Sequence, residues 1–301
     1  MANPRHPVYI LSKGRAEERK AVRWLDHIGV PFRVVVEPQD EASYKAVIPE
    51  DRVVVMDKND QGIQYVRNYI WEHSISIGAE WHWQLDDDIE AMHRQTRNMR
   101  INVMSGTPFK LLEDYVDRFE NVGQAGFNYS TFIPRKYAWM NAPVRINRRV
   151  YSCFMNRNDL PFRYRTPLNE DTDMSLQILK AGWCTIMFNG FLVEMPETMK
   201  QKGGQTDLYV EDKGDNPKRI AMARKLVELH PDVTSIVWKW NRWQHFVDYR
   251  PFQRTNKLRL KPGVEIPQTG MDSNGLVLER LVNGKWERGH SLPSCEGVEV
   301  E

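Results

Sequence analysis

Four short apolar runs fall within the first ninety residues, and each ends abruptly in polar side chains. Pro7–Leu11 stops at Ser12-Lys13-Gly14-Arg15, Phe32–Val36 at Glu37-Pro38, Arg52–Met56 at Asp57, and Trp81–Leu85 runs directly into Asp86-Asp87-Asp88. Between them lie stretches of helical period. Ala21, Val22, Leu25 and Ile28 share one face of Ala16–Ile28, and Ile63, Val66, Tyr69, Ile70 and His73 one side of Gly62–Ser74. Near-continuous apolar strands alternating with helices require a mostly parallel sheet covered on both faces. The fold class expected is therefore α/β, a Rossmann-like mostly parallel sheet flanked by helices. In such sheets the ligand crevice lies beyond the carboxyl ends of the strands. Ser12, Lys13, Arg15, Glu37, Asp57 and the three aspartates should then gather on one edge.

The middle of the chain is less regular. Phe109–Asn121, Thr172–Ala181 and Ala221–His230 read as helices, and Gly126–Ile133, Arg148–Met155 and Trp183–Phe188 as strands. Beyond Pro262 the sequence loosens, and Leu276–Trp286 reads as a small hairpin turning at Asn283-Gly284. The expected organisation is one domain over 1–260, split into halves at 88/89, with a β appendage over 261–301. Three cysteines without CxxC spacing argue against a disulfide framework or a cysteine zinc site. No run approaches the ~20 apolar residues of a membrane span, and the polar start lacks a signal region, so a cytoplasmic protein is expected. No obligate protein partner is evident.

Net charge is only +2, but it is unevenly distributed. Ile89–Arg165 holds thirteen basic residues against six acidic, and Lys239–Lys261 seven against one. Either stretch alone is an ordinary solvated face; folded together they would form a surface for a polyanion.

The sharpest chemical signal is the acidic cluster. In an extended segment alternate residues share a side, so Asp86 and Asp88 point together while Asp87 turns away. Two converging carboxylates call for a hard cation, Mg²⁺ or Mn²⁺, whose shell is completed by substrate phosphates. The structural alternative is an exposed acidic turn or a helix cap.

An Asp-x-Asp after a hydrophobic strand resembles the motif of GT-A nucleotide-sugar glycosyltransferases. Two further pieces follow the order of that family: Gly62-Ile-Gln-Tyr-Val-Arg67-Asn68 on the preceding helix, and Asn169-Glu170-Asp171-Thr172-Asp173 opening a later one. More narrowly, Tyr9-Ile-Leu-Ser-Lys-Gly-Arg15, Gln84-Leu-Asp-Asp-Asp-Ile89 and the Asn169–Asp173 run resemble the phage TET/JBP-associated glycosyltransferases, relatives of the base J glucosyltransferase. The resemblance implies a UDP-sugar donor and, as acceptor, DNA carrying a hydroxymethylated pyrimidine. It implies a nucleotide-sugar site of Ser12, Lys13, Arg15, Glu37, Asp57, Arg67, Asp86 and Asp87, and a metal site of Asp86, Asp88 and a late histidine, His245. Asp171 would deprotonate the acceptor, with Glu170 orienting it or serving as the base itself, and the anomeric centre would invert.

Arg148, Arg149, Tyr164, Arg165 and Trp243 are the candidates for holding DNA, since phosphates attract Arg and bases stack on aromatics. Core packing is the alternative for each aromatic, and for Trp183 and His82 it is the expectation. Lys202–Thr206 has the composition of a lid or an ordinary surface loop. Three other readings stay open: a GT-A enzyme acting on a protein or glycan, a two-metal nuclease built on Asp86, Asp88, Asp171 and Asp173, and a non-catalytic nucleic-acid-binding module.

Overall fold

The computed structural model of the protein describes residues 3–135, 143–196, 217–239, 241–264 and 279–288. Alternation along the first strand, β1 (Val8–Leu11), already divides the core. Val8 and Ile10 join the large apolar cluster on one face of the sheet, while Tyr9 and Leu11 join a second cluster on the other. Helices α1 (Lys20–Ile28) and, later, α4 (Thr107–Val116) cover the first face through Ala21, Leu25, Phe109 and Leu112. Helices α3 (Ile63–Ser76) and α5 (Glu170–Lys180) cover the second through Ile70, Trp71, Met174 and Ile178. The result is a three-layer α/β arrangement, with α3 and α5 on the same side.

The remaining strands of the main sheet are β2 (Arg33–Val36), β3 (Val53–Val55), β4 (Trp81–Asp86), β5 (Ala91–Thr96), β6 (Met99–Asn102), β7 (Val122–Tyr129), β8 (Val144–Ile146), β9 (Cys153–Arg157) and β10 (Cys184–Glu194). A short helix, α2 (Glu41–Lys45), precedes β3. The order is β3-β2-β1-β4-β9-β7-β10-β5-β6, with β8 also paired to β10. Seven of these ten strands run in one sense, and β5, β8 and β9 run against them. The carboxyl ends of β1 to β4 therefore share an edge. Because β9 is antiparallel, its amino end meets them there, and the Asp86 amide donates to the Ser152 carbonyl at 2.8 Å.

After β10 come α6 (Pro217–Leu229), a hairpin of β11 (Thr234–Lys239) and β12 (Arg242–Val247), and α7 (Arg250–Thr255). The terminal hairpin, β13 (Glu279–Val282) and β14 (Lys285–Arg288), turns at Asn283 and Gly284 with φ of 47° and 77°, the left-handed pair the Asn-Gly signal demands.

Three departures from the sequence reading have physical causes. The β5–β6 hairpin was not foreseen because its strands are polar and half-exposed, and its turn at Arg97-Asn98 (φ 45° and 65°) carries no glycine. The strand expected over Arg148–Met155 begins only at Cys153, because Ser152 adopts φ 58° and breaks the extension. The β11–β12 hairpin was hidden because Ile236, Val237 and Trp238 run together while the return strand mixes Trp243, Phe246 and Val247 with polar residues, so neither strand alternates cleanly. Among the described residues no helix is long and apolar enough to cross a membrane. The Lys202–Thr206 segment lies outside the described residues.

Candidate active site

The three aspartates that end β4 go to three different environments. Asp87 turns back beneath β1 and is locked there: Arg15 Nη1 donates to its Oδ1 at 2.6 Å and the Ser12 hydroxyl to its Oδ2 at 2.5 Å. Its carbonyl also accepts the Ala21 amide, which anchors the first turn of α1. Asp86 receives Arg67 Nη2 at 3.1 Å. Asp88 Oδ1 is shut off from solvent and meets no hydrogen-bond partner. Burial, reinforced by the charges of Asp86 and Asp87, pushes the Asp88 carboxyl up to about 7.

Arg67 ties the two halves of the edge together. It is 3% exposed, far below what a surface arginine shows. Its Nη2 holds Asp86, its Nη1 donates to Gln84 Oε1 at 3.2 Å, and its Nε donates to Glu170 Oε1 at 3.2 Å. The guanidinium lies 5.1 Å from the Phe154 ring centroid and 5.8 Å from that of Tyr164, packing that desolvates it. Burial works against its charge, yet Asp86 and Glu170 hold it ionised above the ordinary arginine range. Glu170 is shifted upward by burial, with Arg67 pulling it partly back. The neighbouring Asn68 clamps the loop before α5, exchanging hydrogen bonds with the Tyr164 backbone at 2.7 and 2.9 Å.

The start of α5 repeats this division of labour. Asn169 adopts a left-handed φ of 56°, so the helix begins sharply at Glu170 and its first turn carries Glu170, Asp171 and Asp173. Asp173 is fully buried and locked by Arg165 (2.7 Å), His230 Nε2 (2.8 Å) and Gln177 (3.0 Å). Despite burial, His230 and Arg165 hold its carboxyl below the usual carboxylate range. Asp171 is the more open of the three. Its Oδ1 accepts the Thr172 amide at 2.6 Å, and Arg149 Nε stands 3.7 Å from its Oδ2. Arg149 itself lies over the Tyr151 ring at 4.6 Å.

The structure therefore joins Asp86, Arg67 and Glu170 at one edge, with Asp88 and Asp171 next to them in the chain, and gives the other candidates protein partners. Arg67 is an internal tie whose guanidinium is enclosed by protein. Asp87 and Arg15 engage one another. Glu37 is buried beneath Lys13, which also pairs with Asp60, and Asp57 is exposed and accepts the Tyr65 hydroxyl at 2.5 Å. Tyr164 is buried against Arg67, and Arg165 is held by Asp173.

Arg148 is half-buried beside Thr185, whose hydroxyl accepts its amide at 2.9 Å. His245 lies within electrostatic reach of Arg149 and Asp171. Among the described residues no three His, Cys, Asp or Glu side chains assemble as a metal-ligand set. As expected, His82 is a buried core residue, bonded to Asn158 at 2.5 Å. Gln84 was missed, although its place two residues before Asp86 puts it on the same side of β4. Tyr129 had no local signal, because its place beside the site depends on β7 pairing with β9.

Two solved structures resemble the chain only distantly. One, a protein of Desulfovibrio desulfuricans G20 described as a nucleotide-diphospho-sugar transferase, is 10% identical over 75% of this chain and 96% of its own, with a TM-score of 0.38. The other is a glycosyltransferase involved in the glycosylation of the major capsid of PBCV-1, 14% identical over 57% of this chain and 67% of its own, with a TM-score of 0.24. Likenesses this weak carry no argument about the site. No curated protein matches the chain. The model of the TET-associated glycosyltransferase family, however, matches residues 6–204, from before β1 to beyond β10, and so takes in the whole acidic edge. With α3 and α5 bringing its carboxylates around a single arginine, the chain belongs to the TET-associated glycosyltransferase family and is a glycosyltransferase.

Proposed function

We propose that the protein is a metal-dependent, inverting enzyme that moves a sugar from a UDP-sugar to the hydroxymethyl group of a modified pyrimidine, of the 5-hydroxymethylcytosine type, in DNA. One observation carries this reading: Arg67 joins Asp86 at the end of β4 to Glu170 at the start of α5. A donor-side and an acceptor-side carboxylate thereby share one site.

Asp86 and Asp88 fit a divalent ion, Mn²⁺ or Mg²⁺. An orphaned, shielded Asp88 oxygen beside a second carboxylate is costly without a cation, and hard oxygen ligands suit these metals. When bound, the ion would offset the negative charge that the departing diphosphate gains. Arg67 holds the Asp86 carboxylate in place from behind.

On the acceptor side, Asp171 Oδ2 takes the proton of the hydroxymethyl oxygen as that oxygen attacks the anomeric carbon and the bond to UDP breaks. Asp171 Oδ1 is fixed by the first-turn amide of Thr172, and Arg149 Nε stands 3.7 Å from Oδ2. Attack from the face opposite UDP inverts the centre. The basic stretches around Arg148 and Arg149 and over 239–261 support a polyanionic acceptor.

Incubation with Mn²⁺, hydroxymethylated DNA and a panel of UDP-sugars, followed by nucleoside mass measurement, tests the reading. A hexose added to the hydroxymethyl nucleoside is the expected result. Transfer to peptide or glycan but not DNA would overturn the acceptor assignment, and strand cleavage without a donor would overturn the reaction.

A further inference from the structure

The β11–β12 hairpin alternates sides like any antiparallel pair, and its cross-strand register is Thr234 with Val247, Ile236 with His245, and Trp238 with Trp243. These pairs share one face. At its base Thr234 is buried and Val247 packs on the cluster of Leu226 and Phe252, so this face turns inward. Ser235 and Phe246, on the opposite face, are exposed. Midway along the inner face, His245 comes within electrostatic reach of Asp171 and Arg149. Two residues further along the same face, roughly 7 Å at the usual strand rise, stand Trp238 and Trp243. Their rings meet edge to face, with centroids 5.3 Å apart at 69°. Trp238 is 49% exposed, whereas the aromatics nearer the sheet (Tyr151, Phe154 and Tyr164) are buried.

We infer that Trp238, braced edge-on by Trp243, is the surface on which the acceptor nucleobase stacks while its hydroxymethyl group reaches Asp171. This rests on the reading of DNA as acceptor. Three observations argue for a base as the occupant. A half-exposed tryptophan face stands on the side of the hairpin whose base packs, through Val247, on the cluster that holds Leu176 and Leu179 of α5, the helix Asp171 helps to open. Lys239 and Arg242, which pair one step beyond the tryptophans on the opposite face, leave the hairpin tip basic, as a strand passing over it would need for its phosphates. Asp171 sits at a sheet edge with only 18% of its side chain exposed. A base held within a duplex cannot bring its substituent there, so it must leave the stack and needs a new stacking partner.

The test is steady-state transfer to a hydroxymethylated oligonucleotide by wild type, Trp238→Phe and Trp238→Leu, with melting temperatures as a check on folding. Leucine keeps apolar bulk but removes the aromatic face. KM for the oligonucleotide should rise about tenfold in Trp238→Leu, with kcat changed less than about threefold, and Trp238→Phe should stay close to wild type. Trp243→Leu, by removing the brace, should raise KM by a smaller factor. If Trp238→Leu keeps the wild-type KM while wild type modifies DNA, the stacking role is wrong and the DNA reading stands. If wild type itself modifies no DNA, both fall. Should Trp238→Leu fold poorly, quenching of tryptophan fluorescence by unmodified single-stranded oligonucleotide decides: wild type is quenched and Trp238→Phe shows a reduced change, whereas identical quenching in the two refutes the contact.

Discussion

The end of β4 and the start of α5 are built alike and serve different ends. Each carries three carboxylates within four residues, and in each one is locked, one leans on Arg67 and one is left available. Asp87 is locked by Arg15 and Ser12, and Asp173 by Arg165 and His230. Asp86 and Glu170 share Arg67. Asp88 and Asp171 remain. The difference lies in how the available group is treated. Asp88 keeps a shielded, unpartnered oxygen beside two like charges, an environment that asks for a cation. Asp171 has a helix-start amide on one oxygen and a guanidinium 3.7 Å from the other. Two carboxylates of the same residue type thus sit in different surroundings, and the proposed roles of metal ligand for Asp88 and base for Asp171 follow that difference.

The largest effects should come from Asp171 and from the arginine that joins the two regions. Asp171→Asn should lower turnover by about 10²–10⁴-fold, the usual contribution of a positioned base, while leaving UDP affinity near wild type. Near-normal turnover would remove Asp171 from the chemistry. Arg67→Met should abolish transfer and destabilise the fold by about 3–5 kcal/mol, because it leaves buried Glu170 and half-buried Asp86 without their shared cation. Unchanged denaturant midpoint and activity would show that the two acidic regions are not coupled through this residue.

The locked pair sharpens the comparison further. Asp173→Ala should cost about 3 kcal/mol by leaving His230 and Arg165 without their acceptor, read as a fall in melting temperature. A variant that melts normally but is inactive would make Asp173 part of the chemistry.

The smallest effect concerns pH. Asp88 titrates near 7 when folded against an ordinary 3.8, so its proton stabilises the fold at low pH and that contribution fades as pH rises through 7. Metal-free Asp88→Asn should therefore match wild type near pH 4 and exceed it by about 1–3 kcal/mol at pH 8. A difference that shrinks with rising pH would mean that Asp88 is not buried as a charge.

Much of this was legible in the chain. Apolar strands that stop at polar residues declared the sheet edge, and Asp86, Asp88, Glu170 and Asp171 were identifiable because strand ends and helix starts have local signatures. Arg67 was found by motif, but its role was not, since a sequence cannot distinguish an arginine facing ligand from one enclosed by Phe154, Tyr164, Gln84 and two acids. Asp87 and Asp173 look like their neighbours and differ only in long-range partners. The β11–β12 hairpin was missed for the opposite reason: its inner face is marked by tertiary packing against α6 and α7, while its own residues have no clean alternation.

The central claim is that the acidic end of β4 holds a nucleotide through a divalent ion. Calorimetric titration of UDP into wild type and Asp88→Ala, with and without Mn²⁺, addresses it directly. The account predicts micromolar-range binding by wild type that requires Mn²⁺ and falls at least about 100-fold, some 2.7 kcal/mol, in Asp88→Ala. Equal UDP affinity in the two proteins, or wild-type binding indifferent to Mn²⁺, would contradict it.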